Sequence, residues 1–302
     1  MEVETGRTRL REWKSGQGAR LRSAGFGPEA ETVKYQKFHH PEYYQTDHIQ
    51  VLDIETLAPE TEDGSFPPWP LHEAVCASVL TQKRAGDSYE FDIRTVEFAN
   101  ELEGLRQLFG LLDPSATLVT WNGRGFDVPV LQLAAARHLL FEDNALRTAW
   151  LAPRWAINHA DLAELYGRFG GAGRPSLANV CRGLGIAAKT QGSGDSVAAM
   201  IADGREQQVF RYCEEDVAIT WLAWLHYAAA RYADPGKLAH PLAAFDRWLA
   251  DDDNGRYAHL KHLRDLPLFR HAREADPVFR LDRLIERTER RANIAAMRPS
   301  TM

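Results

Sequence analysis

Two acidic residues near the end of an apolar run have the spacing of paired metal ligands. Asp53 and Glu55 alternate with apolar residues in the sequence VLDIETL at residues 51–57. In an extended strand, residues two apart project to the same face, so the two carboxylates are expected to point together. Tyr212 and Asp216 are four residues apart in a predicted helix and therefore also share a face. The pattern predicts a strand and a helix that bring these groups to one site.

A further carboxylate, Asp127, lies at a predicted junction between a strand and a helix. In open α/β sheets, sites form beside the carboxyl ends of strands, which is where Asp53 and Asp127 are both expected. Carboxylates brought together repel one another unless they bind protons or a cation neutralises them. Oxygen ligands favour Mg²⁺ or Mn²⁺, and two such ions about 3.5–4 Å apart stabilise in-line displacement at a phosphodiester. The predicted chemistry is phosphodiester hydrolysis.

The composition is that of an ordinary globular protein. The chain has 302 residues, of which 44% are hydrophobic, and it includes eight Trp, so it can bury a substantial core. Its 36 Lys and Arg against 42 Asp and Glu give a net charge of −6. This balance provides no global attraction for nucleic acid, so any such contact must be local.

Cysteine usage and the beginning of the sequence point to a reducing cytoplasm. Cys76, Cys181 and Cys213 are far apart in apolar contexts, which favours core thiols over a disulfide framework or a zinc site. The acidic start of the sequence lacks the apolar core of a secretory signal. The most apolar helical stretch, residues 219–230, is too short to span a bilayer, so no membrane association is predicted.

The order of elements predicts an α/β domain. Strands are expected at residues 49–54, 74–81, 88–93 and 117–121, with an antiparallel hairpin at residues 85–87, and helices at 100–112, 127–140, 177–184 and 206–227. Residues 47–232 are therefore assigned to one domain. Residues 1–46 lack a sustained period and are expected to form a poorly ordered or peripheral arm. Residues 233–302 are expected to form a charged helical extension.

Three segments in this order resemble the motifs of the DEDD exonuclease superfamily. They are the run at 51–57, the sequence VTWNGRGFDVPVL at 119–131, and YCEED at 212–216. The Tyr-x-x-x-Asp ending is similar to the tyrosine-type branch, and the group it most resembles is the predicted 3′-5′ exonucleases related to the proofreading domain of B-family DNA polymerases. The resemblance covers roughly residues 49–230. It implies a ribonuclease-H-like fold with a mixed central sheet and helices on both faces.

The resemblance also implies roles for the site residues. Asp53 would bridge two divalent cations, Mg²⁺ or Mn²⁺, with Glu55, Asp127 and Asp216 completing the ligand set. Tyr212 would hydrogen-bond and orient the attacking water, because a phenol is too weak an acid to give a strong base at neutral pH. The alternative for Tyr212 alone is a core-facing aromatic on a long helix.

Candidate substrate contacts are expected close to these motifs. Asn122 and Phe126 would make polar and stacking contacts to the terminal nucleotide, or else end a strand and fill the core. Thr56 would donate a hydrogen bond to the strand end or cap its loop, and Leu57 would wedge beside the last base or lie in the core. Arg124 and Lys189 are candidate phosphate contacts in loops that flank the site, although exposed surface cations are common.

Several nearby polar residues receive structural interpretations. Asp161 begins a helix and is predicted to be its N-cap rather than a fifth ligand. Glu214 and Glu215 lie on other helix faces than Asp216 and are expected to be solvated. His259 and His262 are expected to be ordinary surface histidines.

The resulting prediction is a metal-dependent 3′-5′ exonuclease acting on single-stranded 3′ ends and releasing nucleoside 5′-monophosphates. DNA is preferred over RNA by analogy with the family alone. The alternatives are an exoribonuclease that matures RNA ends and a catalytically silent nucleic-acid-binding module of the same fold. The sequence leaves the pathway open between DNA repair, replication support and turnover, and it does not reveal any protein partner.

Overall fold

The computed structural model describes residues 44–63, 65–141, 144–186 and 197–277, together with residues 281, 285 and 288. Its strands are β1 (His48–Leu57), β2 (Glu73–Ala85), β3 (Ser88–Glu97), β4 (Thr117–Thr120) and β5 (His159–Asp161). They form one five-stranded sheet in the order β3-β2-β1-β4-β5. β1 pairs antiparallel with β2 and parallel with β4, and β4 pairs parallel with β5. The predicted mixed sheet is therefore confirmed.

The helices connect and cover these strands. They are α1 (Glu101–Leu111), α2 (Asp127–Arg137), α3 (Ala145–Leu151), α4 (Leu162–Tyr166), α5 (Leu177–Gly183), α6 (Val197–Ala202), α7 (Glu206–Tyr232) and α8 (Gly236–Ala250). Short 3-10 helices occur at Trp69–Leu71, Arg168–Gly170 and Ala258–Asp265, and residues 267–277 are helical. Asn100 caps α1 by accepting a hydrogen bond from the Glu103 amide.

The hairpin between β2 and β3 lies at the predicted turn, although both strands are longer than expected. Ala85 pairs with Ser88, which leaves a two-residue loop of Gly86 and Asp87. Gly86 has a φ of 61°, a left-handed conformation that glycine adopts without steric cost.

Both faces of the sheet are buried. Leu52 and Ile54 of β1 pack in one core with residues of α1, α2 and α3. Ile49 and Val51 pack in a second core with residues of α7 and α8. This arrangement confirms the expected ribonuclease-H-like α/β fold with helices on both faces. Asp53 and Glu55 belong to the α7 side, because they alternate with Leu52 and Ile54 along the strand.

The α7 helix is the central helix of the second core. Its residues are buried almost continuously from Tyr212 to Leu225, including Trp221 and Trp224, whose side chains are fully buried. A helix that is apolar on all sides is typical of a position enclosed by other elements. Here β1, β2 and β4 lie on one side of α7 and α8 on another. The helix that carries Tyr212 and Asp216 is thereby held firmly against the sheet.

The described chain beyond residue 233 is mostly helical, as expected, with a non-helical connection at residues 251–257. Leu242 and Phe245 of α8, together with Leu260 and Phe269, belong to the same core as α7. The predicted boundary at residue 232 stays a prediction. The predicted N-terminal arm lies almost wholly outside the described residues, as does most of the charged C-terminal stretch. Within the described part of the chain, no helix is long and apolar enough to cross a membrane.

Candidate active site

Asp53 and Glu55 project from β1 toward α7, as the alternation along the strand predicts. Glu55 is buried and Asp53 is half-buried. The pairing of β1 with β2 shifts register between Glu55 and Thr56, which marks a bulge. Bulges are common beside active sites because they redirect the following side chains. The bulge separates the two acids from Thr56 and Leu57 at the end of the strand.

The N-terminal half of α7 lies against this part of β1. Cys213 is fully buried, and its Sγ lies 3.4 Å from the backbone oxygen of Asp53 and 3.7 Å from Asp53 Oδ2. One carboxylate oxygen from Asp53, one from Glu55 and Cys213 Sγ all lie within 4.8 Å of one another. Tyr212 and Asp216, on the same helix, are both buried. The helix therefore delivers its own carboxylate to the strand that carries the acidic pair.

Asp127 joins this cluster from a third element. It is the first residue of α2, only 4% exposed, and Phe126 occupies the N-cap position. The backbone amide of Ile54, between the two acids of β1, hydrogen-bonds to the Asp127 carboxyl. The pKa of Asp127 is raised to about 7, chiefly by burial and also by the charges of Asp161 and Asp216, while hydrogen bonds from the amides of Asp127 and Ile54 act to lower it. Asp127 thus lies next to β1 and within electrostatic reach of α7.

The donor set of this cluster fits a hard divalent cation. It consists of carboxylate oxygens on Asp53, Glu55, Asp127 and Asp216, which come from β1, α2 and α7. The pKa of Asp127 is raised first by burial and then by the charges of Asp161 and Asp216, so its ionised form is disfavoured in the metal-free protein. A bound cation would offset both causes and allow all the carboxylates to ionise together.

Asp161 holds the neighbouring loop rather than extending the cluster. Its carboxylate accepts hydrogen bonds from the amides of Ala163 and Glu164, which confirms the predicted N-cap of α4. It also accepts from the backbone amides of Asn122 and Arg124, at 3.0 and 2.9 Å. With these amides satisfied, Asp161 fixes the loop that leads from β4 into Asp127.

The loop at residues 122–126 is tightly constrained. Asn122 has a φ of 60°, a left-handed conformation that asparagine tolerates better than most residues. A Cβ at Gly123 would lie 2.4 Å from the Thr120 hydroxyl oxygen, so only glycine fits there. The backbone of the loop is therefore restricted to one conformation between Asn122 and Asp127. This restriction explains the fixed spacing of these two residues in the motif.

Arg124 points into the protein. Its guanidinium donates to the backbone oxygens of Ala152 and His159, both at 3.0 Å, and its Nε lies 3.7 Å from Glu164. These contacts tie the loop to β5 and α4. The phosphate contact predicted for Arg124 stays untested, and the same prediction for Lys189 lies outside the described residues.

An aromatic cluster flanks the loop. Phe126 packs against the rings of His72 and Phe66, with centroids 4.8 and 5.8 Å away. Phe66 is 70% exposed, so its ring extends the cluster into solvent. Thr56 Oγ1 lies 2.7 Å from His72 Nδ1, which ties the end of β1 to this cluster. Leu57 is partly buried against a small core that includes Cys76 and Cys213.

These groups surround one open cleft of about 530 Å³. The acidic cluster contributes Asp53 and Asp127, and the aromatic side contributes Phe66, Trp121 and Phe126. Asn122 also lines it, and the rest of the lining includes Arg154, Glu164, Gly170 and residues 173–176. The cleft has the size of a small-ligand site and is open to solvent at its basic and aromatic walls.

Glu214 and Glu215 are buried, so the prediction that they are solvated is wrong. Glu214 is 1% exposed and accepts hydrogen bonds from Thr95 of β3 and from both terminal nitrogens of Arg256. His259 Nε2 lies 2.9 Å from its Oε2. Glu215 lies 3.2 Å from His262. The faces of α7 that the sequence assigned to solvent are covered by the chain that follows α8.

Charge compensation explains why Glu214 tolerates this position. Burial alone would raise the pKa of Glu214, but hydrogen bonds from His259, Arg256 and Thr95 together lower it below its ordinary value. Residues two apart on a helix are about 200° apart around its axis, so Glu214 and Asp216 face opposite sides of α7. One carboxylate therefore anchors the helix, while the other lies on the side where its charge acts on Asp127. The histidines expected on the surface are the partners of Glu214 and Glu215.

A family model matches residues 64–262 of this chain. It describes a predicted 3′-5′ exonuclease related to the exonuclease domain of PolB. The chain belongs to this family. The matched segment includes the loop before Asp127 and the helix with Tyr212 and Asp216, and it begins after the acidic pair of β1. The family is one of predicted 3′-5′ exonucleases, which are hydrolases that act on nucleic acid.

Among solved structures, the exonuclease is similar to a chain described as an ExoI/SSB-Ct complex. The two share 15% sequence identity with a TM-score of 0.33. The match covers 62% of this chain and 46% of that chain, so the exonuclease spans less than half the length of this relative. A comparison with curated proteins gives no match.

Proposed function

We propose that the exonuclease hydrolyses single-stranded nucleic acid from its 3′ end, one nucleotide at a time, and releases nucleoside 5′-monophosphates. DNA is the proposed substrate in preference to RNA, by analogy with the polymerase-related family. The observation that carries the proposal is the position of Asp127. Its buried carboxyl accepts a hydrogen bond from the amide of Ile54, beside the two β1 acids, and lies within the electrostatic influence of Asp216.

The proposed metal ligands are the four carboxylates of Asp53, Glu55, Asp127 and Asp216. They would hold two divalent cations, Mg²⁺ or Mn²⁺, whose charge would stabilise the transition state and lower the pKa of a bound water. Asp53 would serve both cations, since it lies nearest the open cleft among the β1 acids.

The protein's own groups would position the reacting atoms. Tyr212 would hydrogen-bond the attacking water and orient it toward the phosphorus, with the phenol staying protonated. Attack breaks the bond between phosphorus and the O3′ of the preceding nucleotide, which leaves a 3′-hydroxyl on the shortened strand. The 5′-phosphate departs with the released nucleotide.

The terminal nucleotide would lie between the aromatic and polar walls of the cleft. Phe126, supported by His72 and Phe66, offers a ring against which any base can stack. Asn122 lines the same wall and would contact the nucleotide through its amide. Thr56 and Leu57, at the end of β1, would contact the strand end. These contacts carry little sequence information, as suits an enzyme that removes every base.

The test is digestion of 5′-labelled single-stranded DNA and RNA of one sequence in Mg²⁺, Mn²⁺ or EDTA. The wild-type protein and Asp53→Ala and Asp127→Ala variants are compared with Asp203→Ala, whose side chain is exposed and ion-paired on the surface. We expect the wild-type protein to give a metal-dependent ladder of products that shorten from the 3′ end. Asp53→Ala and Asp127→Ala should give no ladder, and Asp203→Ala should give the wild-type ladder. Intact strands with wild-type protein under all metal conditions would contradict the proposal.

Faster digestion of the RNA strand would contradict the DNA preference while leaving the chemistry intact. Tight binding of strands without cleavage would favour the catalytically silent module instead.

A further inference from the structure

Part of the cleft lining comes from one loop, from Arg154 and from Glu164 of α4. The loop contributes Gly170, Gly173 and Arg174. We infer that the loop at residues 168–175, with Arg154, is a binding track for the phosphodiester backbone and bases of the single strand that enters the cleft. The inference rests on the proposed function, because it concerns the part of the strand that precedes the cleaved nucleotide.

Two residues of this loop that carry side chains have left-handed backbone conformations, which are sterically unfavourable for them. Arg168 and Phe169 have φ values of 52° and 53°, and Gly170 and Gly173 have φ values of 97° and 80°. Consecutive left-handed residues other than glycine are uncommon, and such conformations concentrate at binding sites where the surrounding structure enforces them. Here the fold presents Phe169 outward at the cost of local strain.

The surrounding contacts show how the loop is enforced. The amides of Gly170 and Ala172 both donate to the backbone oxygen of Gly167, at 3.0 and 2.9 Å. A Cβ at Gly167 would lie 2.6 Å from the oxygen of Gly173, so the loop closes tightly on itself. The loop is therefore a fixed platform at the edge of the cleft.

The groups on this platform match a single strand. Phe169 is 44% exposed, and the guanidinium of Arg154 lies 5.2 Å from the centre of its ring. Arg154 is oriented by Glu164, at 2.7 Å, and Arg174 is exposed beside it. Exposed aromatic rings stack on bases, and arginines pair with phosphates, which is the usual composition of a site for single-stranded nucleic acid.

Local charge supports the same occupant. The segment from residue 168 to 182 contains three arginines and no acidic residue, in a chain whose net charge is −6. Glu164 offsets the charge of Arg154, but the segment that contains Arg174 carries no acidic residue, so a polyanion meets a locally positive surface along the loop. An acidic peptide would share the charge preference but would gain no stacking from Phe169.

Binding is measured without catalysis, by fluorescence anisotropy of a labelled oligo-dT in EDTA across a series of salt concentrations. The variants are Arg174→Ala and Phe169→Ala. The matched controls are Arg94→Ala, an exposed arginine of the edge strand β3, and Phe141→Ala, an exposed phenylalanine that belongs neither to the cleft lining nor to the loop at residues 168–175.

The two variants are expected to differ in kind. Arg174→Ala should weaken binding and reduce the slope of log K against log salt by about 0.7, the contribution of one phosphate contact to a single strand. Phe169→Ala should weaken binding by about tenfold without changing the slope, since stacking releases no counterions. Both controls should bind as the wild-type protein does.

Affinities and slopes of both variants equal to those of the controls would overturn the inference, and so would absence of wild-type binding in EDTA. These outcomes are separable from failure of the proposed function. If the wild-type protein digests strands but the variants bind with the affinities and slopes of the controls, only the binding track is contradicted. A wild-type protein that binds through this loop but never shortens a strand contradicts the proposed function alone.

Discussion

Replacing Asp127 by asparagine should stabilise the metal-free protein while abolishing its activity. The buried carboxyl has a pKa of about 7 in the folded protein and 3.8 as its ordinary value. The folded state therefore retains the proton up to about neutral pH, whereas the unfolded chain releases it near pH 4. The free energy of unfolding falls as the pH rises through this range, because the unfolded chain is stabilised by releasing the proton while the folded state still holds it. An asparagine does not ionise and escapes this penalty.

The size of the effect follows from the two pKa values. A rise of the pKa from 3.8 to about 7 lowers the free energy of unfolding at pH 8 by about 4 kcal/mol. At pH 5 the folded protein keeps the proton, and the penalty is about 2 kcal/mol. The advantage of Asp127→Asn should therefore grow by about 2 kcal/mol between pH 5 and pH 8. This corresponds to a rise of a few degrees in Tm for a chain of this length.

The assay is thermal unfolding in EDTA at several pH values for the wild-type protein, Asp127→Asn and the exposed control Asp203→Asn. The pH dependence of the difference in Tm between Asp127→Asn and the wild-type protein is diagnostic, because the extra amide hydrogens of asparagine change stability equally at every pH. Saturating Mg²⁺ should raise the Tm of the wild-type protein more than that of Asp127→Asn. A difference in Tm between Asp127→Asn and wild type that is the same at pH 5 and pH 8 would refute the reasoning.

Three other substitutions test the rest of the site. Tyr212→Phe should lower kcat by about a hundredfold with little change in Tm, because only the water-orienting hydroxyl is lost. Arg256→Ala should lower the free energy of unfolding by about 2 kcal/mol, less than for a fully buried pair since Arg256 is 49% exposed and other partners still hold Glu214. Cys213→Ser should remove the ultraviolet sulfur-to-metal band that Cd²⁺ is expected to produce when it binds beside Asp53.

Each of these expectations has a matching control. Tyr89→Phe changes a partly buried tyrosine of β3 and should leave kcat unaltered. The loss caused by Arg256→Ala should shrink below about pH 4, because Glu214 has a lowered pKa and contributes its stability only while it is ionised. A loss that is constant with pH would argue against the charge network. Cys181→Ser removes another buried thiol and should leave the Cd²⁺ band intact.

Local patterns in the sequence were sufficient to predict the acidic site's components. The period of a strand places Asp53 and Glu55 on one face, and the turn of a helix does the same for Tyr212 and Asp216. Both relations depend only on neighbouring residues, so they survive folding unchanged. The order of the strands and helices likewise follows from hydrophobic periodicity and turn residues.

Contacts between distant segments were not predictable in the same way. Helical periodicity correctly separated Glu214 from Asp216, but the face it assigned to solvent is covered by a segment about forty residues later, which carries Arg256 and His259. Cys213 was expected to be a core thiol and is buried, yet its proximity to Asp53 depends on how α7 lies against β1. The contacts of Arg124 were not predictable for the same reason. The backbone oxygens that it binds, on Ala152 and His159, lie 28 and 35 residues later in the sequence.

The Glu214 network also has a consequence for the order of events during synthesis. A nascent chain that has reached the end of α7 already contains every proposed catalytic residue, but it lacks Arg256 and His259. Burying Glu214 before those partners emerge would leave an uncompensated charge next to the sheet, which is strongly unfavourable. The helix is therefore expected to dock fully only after the segment beyond α8 has left the ribosome, so nuclease activity would not appear before Arg256 and His259 have emerged.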